Sequence, residues 1–317
     1  QALAGMKSAR TRGRNLAQKA LQKLMYGDDR LGTPVGGTES SVHKLTTEAL
    51  KNVYQRVVHP GHLTIGIFGA VEPTQIKPIL AEQLKDWKAL ERHSKSAEAV
   101  VKPAVRVHLV DKPDLTQVNI HLGHAGVPRS RTDYEAITLL NYALGGGGFS
   151  SRLMKLIRSK HGLTYGIYSN FSAGERAGPF MITSFTRVDQ VRQLIDLTFQ
   201  VMDGVVGEGI TAEELKDAKG YYLGSYPLSL ETVEGEGGRL LYAARYGLGD
   251  DYITAYPKRL AAVTLEQVNS LAKTLLNKDD LVVVLAGPKN QLLDAIKDLG
   301  SVRATWWEDD RPLPLKQ

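Results

Sequence analysis

One pattern occurs twice in this chain, and it constrains the fold more than any other feature. Lys44 to Ala70 reads KLTTEALKNVYQRVVHPGHLTIGIFGA, and Ala262 to Pro288 reads AVTLEQVNSLAKTLLNKDDLVVVLAGP. Thr46 aligns with Thr264, Glu48 with Glu266, Leu63 with Leu281 and Gly69 with Gly287, each pair 218 positions apart with no gap. Identity is low, but the same order of physical signals is written both times. A threonine stands where its hydroxyl can cap a helix, and an acidic residue follows in the first turn, where the helix dipole favours it. Apolar residues recur at helical spacing, a polar break follows, and a strand-like run ends on glycine. Upstream, Tyr26-Gly27-Asp28-Asp29 pairs with Leu248-Gly249-Asp250-Asp251 at an offset of 222, which implies a short insertion. The chain is read as a duplicated domain.

The period also sets the expected organisation. The second copy starts near Val105, after the polar, proline-containing stretch from Glu91 to Pro103. If the copies are colinear, the first starts about 113 residues before Gln1. Residues 1–97 are therefore expected to be the C-terminal part of a first domain whose N-terminal half is absent. Residues 98–317 are expected to be a complete second domain.

Within that complete copy, strands are expected at Val105–Val110 and Gln117–Gly123, with the mixed alternation of a sheet packed on one face. A helix from Thr132 to Leu144 runs into Gly145-Gly146-Gly147-Gly148, and a second from Ser150 to Ser159 places Leu153, Leu156 and Ile157 on one face. Strands at Thr164–Phe171 and Pro179–Phe185 precede a long helix carrying Val191, Leu194, Ile195, Thr198, Val201 and Met202. Thr211 and Glu214 have the spacing of a capping box. Grouped strands and helices of this kind imply an α+β fold, with helices packed on a mostly antiparallel sheet.

Composition narrows the function classes. Hydrophobic residues make up 42% and charged residues 23%, the balance of a globular protein. No apolar run reaches about 18 residues, so no membrane-spanning helix is expected. Gln1 is not followed by a charged-then-apolar leader, so a targeting peptide is expected to be removed or absent. The chain has no cysteine, which excludes disulfides, thiolate metal sites and a cysteine nucleophile. The net charge is +6, and Arg10, Arg12, Arg14, Lys19 and Lys23 precede the first acidic residue, Asp28. Such a cluster could track phosphates, but no aromatic stacking platform or nucleic-acid motif accompanies it. A solvated helix face is the favoured reading, and nucleic acid is not an expected partner.

Leu144 to Ser169 reads LGGGGFSSRLMKLIRSKHGLTYGIYS. This stretch resembles the second-domain signature of the insulinase/pitrilysin zinc peptidases, which include the mitochondrial processing peptidase and paired bacterial peptidases. YGDDRLGTPVGGTESSV from Tyr26 is similar to the end of that family's first domain, and LETVEGEGGRLLYAARYGLGDDY from Leu230 to later helices of its second. The resemblance implies that an Arg and a Tyr seven residues apart bind the substrate backbone from the domain opposite the zinc. Arg158 and Tyr165 match that pattern. With one at a helix end and the other at a strand start, two donors could converge on one carbonyl, where a well-placed donor is worth roughly 3 to 4 kcal/mol to a developing oxyanion. The alternative is a solvated helix-end arginine and a core tyrosine. The resemblance further implies that Gly145, Gly146, Gly147, Gly148 and Phe149 form a loop contacting extended peptide. A plain turn stays open for that run. A phosphate cradle is disfavoured, because no G-K-[ST] follows.

The family's catalytic motif, H-x-x-E-H on a helix, is absent from the sequence in either direction. The helix expected at the corresponding place reads TDYEAITLLNYAL, without histidine. His121 and His124 lie three apart on an expected strand, so they face opposite ways. His59 and His62 flank a Pro-Gly turn without nearby carboxylates. Neither pair is expected to bind metal. Ser150 and Ser151 lack a nucleophile elbow and suit helix capping.

These readings lead to a non-catalytic, substrate-binding subunit or region of an insulinase-type zinc peptidase. No cofactor is expected on this chain, and zinc is expected in a partner subunit or a missing segment. The expected partners are a zinc-bearing homologous subunit in a heterodimer, or further copies in a homo-oligomer, together with an extended peptide. A structural scaffold without peptidase role, like the related core subunits of respiratory complexes, is the first alternative. A piece of a complete peptidase with its zinc motif upstream is the second; that the first glutamate is Glu39 weighs against it. A bacterial periplasm is favoured as compartment, with cytoplasm and mitochondrion open.

Overall fold

The structure, a computed structural model, describes residues 1–88, 90 and 105–315. The stretch from Glu91 to Pro103 and the 97/98 boundary lie outside the described residues. Helices α1 (Ala2–Arg10) and α2 (Gly13–Tyr26) open the chain, followed by α3 (Glu39–His43), α4 (Thr47–Val57) and α5 (Pro73–Leu84). Strands β1 (Val107–Asp111) and β2 (Gln117–Ala125) precede α6 (Tyr134–Asn141), and β3 (Ile167–Phe171) and β4 (Pro179–Arg187) precede α7 (Val191–Glu208). Helices α8 (Ala212–Ser225), α9 (Val233–Tyr246), α10 (Tyr252–Ala262) and α11 (Leu265–Leu275) follow. Strand β5 (Val282–Gly287), α12 (Lys289–Ile296), β6 (Val302–Trp306) and β7 (Pro312–Leu313) end it.

The strands form one mixed sheet in the order β3-β4-β2-β5-β1-β6-β7. Four of its pairings are antiparallel, while β1 runs parallel to both β5 and β6. The α+β architecture with helices on a mostly antiparallel sheet is therefore the observed one. The sheet differs from the expectation in one respect: it is covered on both faces. All five residues of β1 and all six of β5 are buried. Leu16, Ala17, Leu21, Met25 and Tyr26 of α2 pack with Val110, Val282, Val284 and Ala286 on one face. On the other, α7 contacts β4 and α12 contacts β1.

The duplication is visible as structure. Helices α4 and α11 are each 11 residues long, with bounds offset by 218, and each is capped by its threonine hydroxyl, Thr46 to the Ala49 N–H and Thr264 to the Gln267 N–H. Each is followed by a 3-10 turn at the same offset, Pro60–His62 and Lys278–Asp280. Helices α2 and α9, both 14 residues, are offset by 220 and end in Tyr-Gly with a positive glycine φ, 56° at Gly27 and 65° at Gly247. This shifts the sequence pairing: the structural counterpart of Gly27 is Gly247 rather than Gly249.

The last correspondence fails at the strand. Val282–Gly287 is β5, at the centre of the sheet. Its counterpart at 64–69 pairs with no strand among the described residues. Ile65, Ile67 and Phe68 remain 45%, 43% and 38% exposed, so the strand expected there is not formed as a sheet member.

The chain divides into two compact units. One comprises Gln1–Thr38, Glu98–Gly220 and Ala262–Gln317, and the other Glu39–Ala97 and Tyr221–Ala261. Their make-up follows from an exchange of equivalent helices. Helix α2, from the first copy, lies on β5 of the second. Helix α9, from the second copy, lies on the β5-like run of the first: a Cβ on Gly237 would come within 2.5 Å of the Phe68 ring, and one on Gly66 within 2.9 Å of Leu241. Thr211 and Glu214 form the expected capping box, with reciprocal bonds of 2.7 and 3.1 Å.

Candidate functional site

The region between α6 and β3 is built on two turns of π-helix, which no local signal in the sequence announces. The first spans Tyr142–Gly146 and the second Met154–Lys160. Helix α6 therefore stops at Asn141 rather than at Leu144, and the helix expected from Ser150 is largely π. Such wide turns are often found at functional sites. Ser151 stands before the second segment, but its hydroxyl donates back to the Gly148 carbonyl at 2.7 Å instead of capping.

The glycine run is held by close packing. A Cβ on Gly145 would come within 2.6 Å of the Ser169 backbone nitrogen, and on Gly146 within 2.5 Å of Asn141 Nδ2. On Gly147 it would meet the Tyr142 carbonyl oxygen at 2.7 Å, and Gly148 has φ +56°. A side chain at Gly145, Gly146 or Gly147 would press on a neighbour, whereas Gly148 has open space and a left-handed backbone that favours glycine. Gly145 is buried, whereas Gly146 is exposed. The loop is tied to β3, the edge strand, through Asn141, which donates to the Ser169 carbonyl at 3.1 Å and accepts from the Ser169 hydroxyl at 2.8 Å. The Ile167 N–H, also on β3, donates to the Met154 sulfur at 3.4 Å. Side chains of the loop's flanks thus occupy edge groups that a neighbouring strand would otherwise take.

Phe149 follows the run and is 62% exposed. Arg158, in the second π-helical segment, holds its guanidinium over that ring, with Cζ 4.4 Å from the centroid. Among the described residues Arg158 has no carboxylate partner and donates no hydrogen bond. Neighbouring Arg152 is the contrast: it is clamped by Glu214 through two 2.7 Å bonds and donates to the Gly209 carbonyl at 2.8 Å. Tyr165 lies after the Gly162 turn (φ +64°), is 77% exposed, and has no hydrogen-bond partner for its hydroxyl among the described residues. The structure brings Phe149, Arg158 and the glycine run together; among the described residues no hydrogen bond or ring contact joins Tyr165 to them. The Phe149 stacking and the Asn141 clamp escaped sequence reasoning, although an asparagine in the otherwise apolar TLLNYAL helix was a usable signal.

Among the described residues no group of three or more His, Asp or Glu is placed to hold an ion. His108 and His121 both pair with Val284, so they lie two strands apart, about 10 Å, and cannot share a metal. Burial, with smaller contributions from Arg303 and Arg14 respectively, lowers their pKa values to about 4. His59 Nδ1 already accepts from the Gly61 and Leu90 N–H groups. No helix of the described residues is long and apolar enough to cross a membrane.

Comparison with known proteins places the chain. The family profile described as the Peptidase M16 inactive domain matches residues 44–221. An uncharacterized zinc protease of Streptomyces coelicolor is 30% identical over 86% of this chain and 61% of its own length. The uncharacterized zinc protease YmxG of Bacillus subtilis is 27% identical over 87% and 66%. A crystal structure of a peptidase M16 inactive domain from Pseudomonas fluorescens superposes with a TM-score of 0.85 at 30% identity, covering 91% of this chain and 69% of that one. The fold also matches Complex III2 from Candida albicans, TM-score 0.75 at 12% identity. The chain belongs to the Peptidase M16 family and corresponds to its inactive, non-catalytic region. It spans three fifths to two thirds of the length of these curated relatives.

Proposed function

We propose that this chain is the substrate-gripping region of an insulinase-type zinc peptidase, acting with a zinc-bearing homologous subunit or segment on extended peptides. Arg158 and Tyr165 donate to a substrate carbonyl, and the Gly145–Gly148 loop with Phe149 lines the peptide's path. Zinc, held by the partner, supplies the activated water. The observation that carries this reading is an arginine that, among the described residues, has no acceptor of its own; it lies next to an exposed phenylalanine and seven residues before an exposed tyrosine whose hydroxyl has no hydrogen-bond partner among them. A structural arginine is normally bonded as Arg152 is. Donors left open at a rigid surface suit a ligand that brings the acceptor.

The test uses the full-length protein, alone and mixed with a zinc-bearing homologue, and an unstructured fluorogenic peptide. Turnover is expected in the mixture, without zinc in the full-length protein by itself. Arg158→Ala or Tyr165→Phe is expected to lower kcat by about a hundredfold, the scale of a lost oxyanion donor, while leaving the fold intact. Unchanged turnover in both variants refutes the role. A second reading, a scaffold without peptidase work, is favoured by the relative named non-peptidase homolog YmxG in Helicobacter pylori, 24% identical over 87% of this chain. It predicts no turnover with any partner. Zinc and turnover in the full-length protein alone would instead mean that a complete peptidase carries its own metal site.

A further inference from the structure

We propose that Phe149 is a positioning residue for Arg158, and that the glycine run serves to place its ring; the inference rests on the peptide-gripping reading above. An arginine is usually fixed by a carboxylate, which consumes its N–H donors and neutralises its charge. An aromatic face holds the cation differently. The ring quadrupole attracts the charge while leaving the guanidinium N–H groups available to another acceptor. Arg158 has this second kind of support: Cζ lies 4.4 Å from the Phe149 centroid, and no carboxylate or carbonyl among the described residues takes its donors.

The support is itself fixed. Phe149 is mostly in solvent, so burial cannot hold its backbone in place. The glycines do. Gly145 is pressed against Ser169, Gly146 against Asn141, and Gly147 against Tyr142, while Gly148 takes φ +56° immediately before Phe149. Asn141 bonds to both the hydroxyl and the carbonyl of Ser169, tying this packing to β3. The run therefore forms a pedestal from β3 to Phe149, and Phe149 presents the guanidinium. Two features separate in the sequence, the Gly-Phe stretch and Arg158, act as one unit.

The experiment is a double-mutant cycle on the full-length protein combined with its zinc-bearing homologue, with the unstructured fluorogenic peptide as probe. Phe149→Leu keeps an apolar side chain but removes the ring face, and is expected to lower kcat/KM by about two- to fivefold, the range of an exposed cation–π contact. Phe149→Trp keeps an aromatic face and is expected to lose less than Phe149→Leu does. In an Arg158→Ala background, Phe149→Leu is expected to cost clearly less than it does in the wild-type background, the remainder being its own contact with the peptide. An equal loss in both backgrounds would overturn the proposal, because Phe149 would then act on the peptide or the loop without Arg158. So would a loss for Arg158→Ala with none for Phe149→Leu, which leaves the gripping role of Arg158 standing. If Arg158→Ala itself has no effect, Arg158 has no gripping role and this inference falls with it; the gripping reading as a whole falls if Tyr165→Phe has no effect either.

Discussion

Residue by residue, the sheet carries an unusual load of uncharged histidine. His108 and His121 point to the face covered by α2 and flank Val284, and each has one ring nitrogen without a hydrogen-bond partner. Burial is the main cause of their lowered pKa values, about 4 in the fold against about 6.5 in an unfolded chain. The positive charges facing them, Arg303 for His108 and Arg14 for His121, act in the same direction, and Asp310 opposes them weakly at His108. Between pH 6.5 and 4 the unfolded chain takes up protons that the folded chain refuses, so stability falls as the pH falls. Each histidine is expected to cost about 2–3 kcal/mol by pH 4.5. Urea midpoints at pH 7 and 4.5 measure this, and His121→Leu should shrink the difference by about the 2–3 kcal/mol that His121 contributes. An unchanged difference would show that His121 does not stay neutral in the folded sheet.

Amphipathic helices of the same copy find different surroundings. Leu21 of α2 is fully buried against the sheet, whereas Leu50 of α4 is 55% exposed. Leu21→Ala is expected to destabilise the chain by about 2–5 kcal/mol, and Leu50→Ala by within about 0.5 kcal/mol, in parallel chemical denaturations. Equal losses would contradict the packing described for α2. This contrast also marks how far the sequence could be read. The threonine caps, the 218-residue offset and the capping box at Thr211 were legible because each is written within a few neighbouring residues. Arg158 and Tyr165 became candidates through a motif alone. The π-helical turns were not, because they arise where the chain is drawn against Tyr142, Asn141 and Ser169 rather than from any local preference. The run at 64–69 has the composition of a strand, but pairing needs a partner, and composition does not supply one.

At the scale of the whole molecule, the exchange of α2 and α9 removes any simple cut. Because α2 covers Val110, Val282, Val284 and Ala286, a fragment that starts at residue 105 would present that apolar face to water. Such a fragment is expected to bind a hydrophobic dye and to melt without a cooperative transition. A peptide of residues 13–26 added in trans is expected to restore both properties in part. A sharp, dye-free transition in the fragment alone would show that α2 is dispensable to the sheet.

The same exchange has a consequence in time. During synthesis α2 emerges long before β5, since Leu21 and Val284 are separated by most of the chain. At about 5–20 residues per second, the apolar side of α2 waits on the order of ten to fifty seconds for its partner. Contacts that distant also slow folding, because a large loop must close before burial rewards it. The nascent chain therefore passes through a long interval with an adhesive helix exposed, in which a chaperone, or a neighbouring ribosome's copy of β5, competes for it.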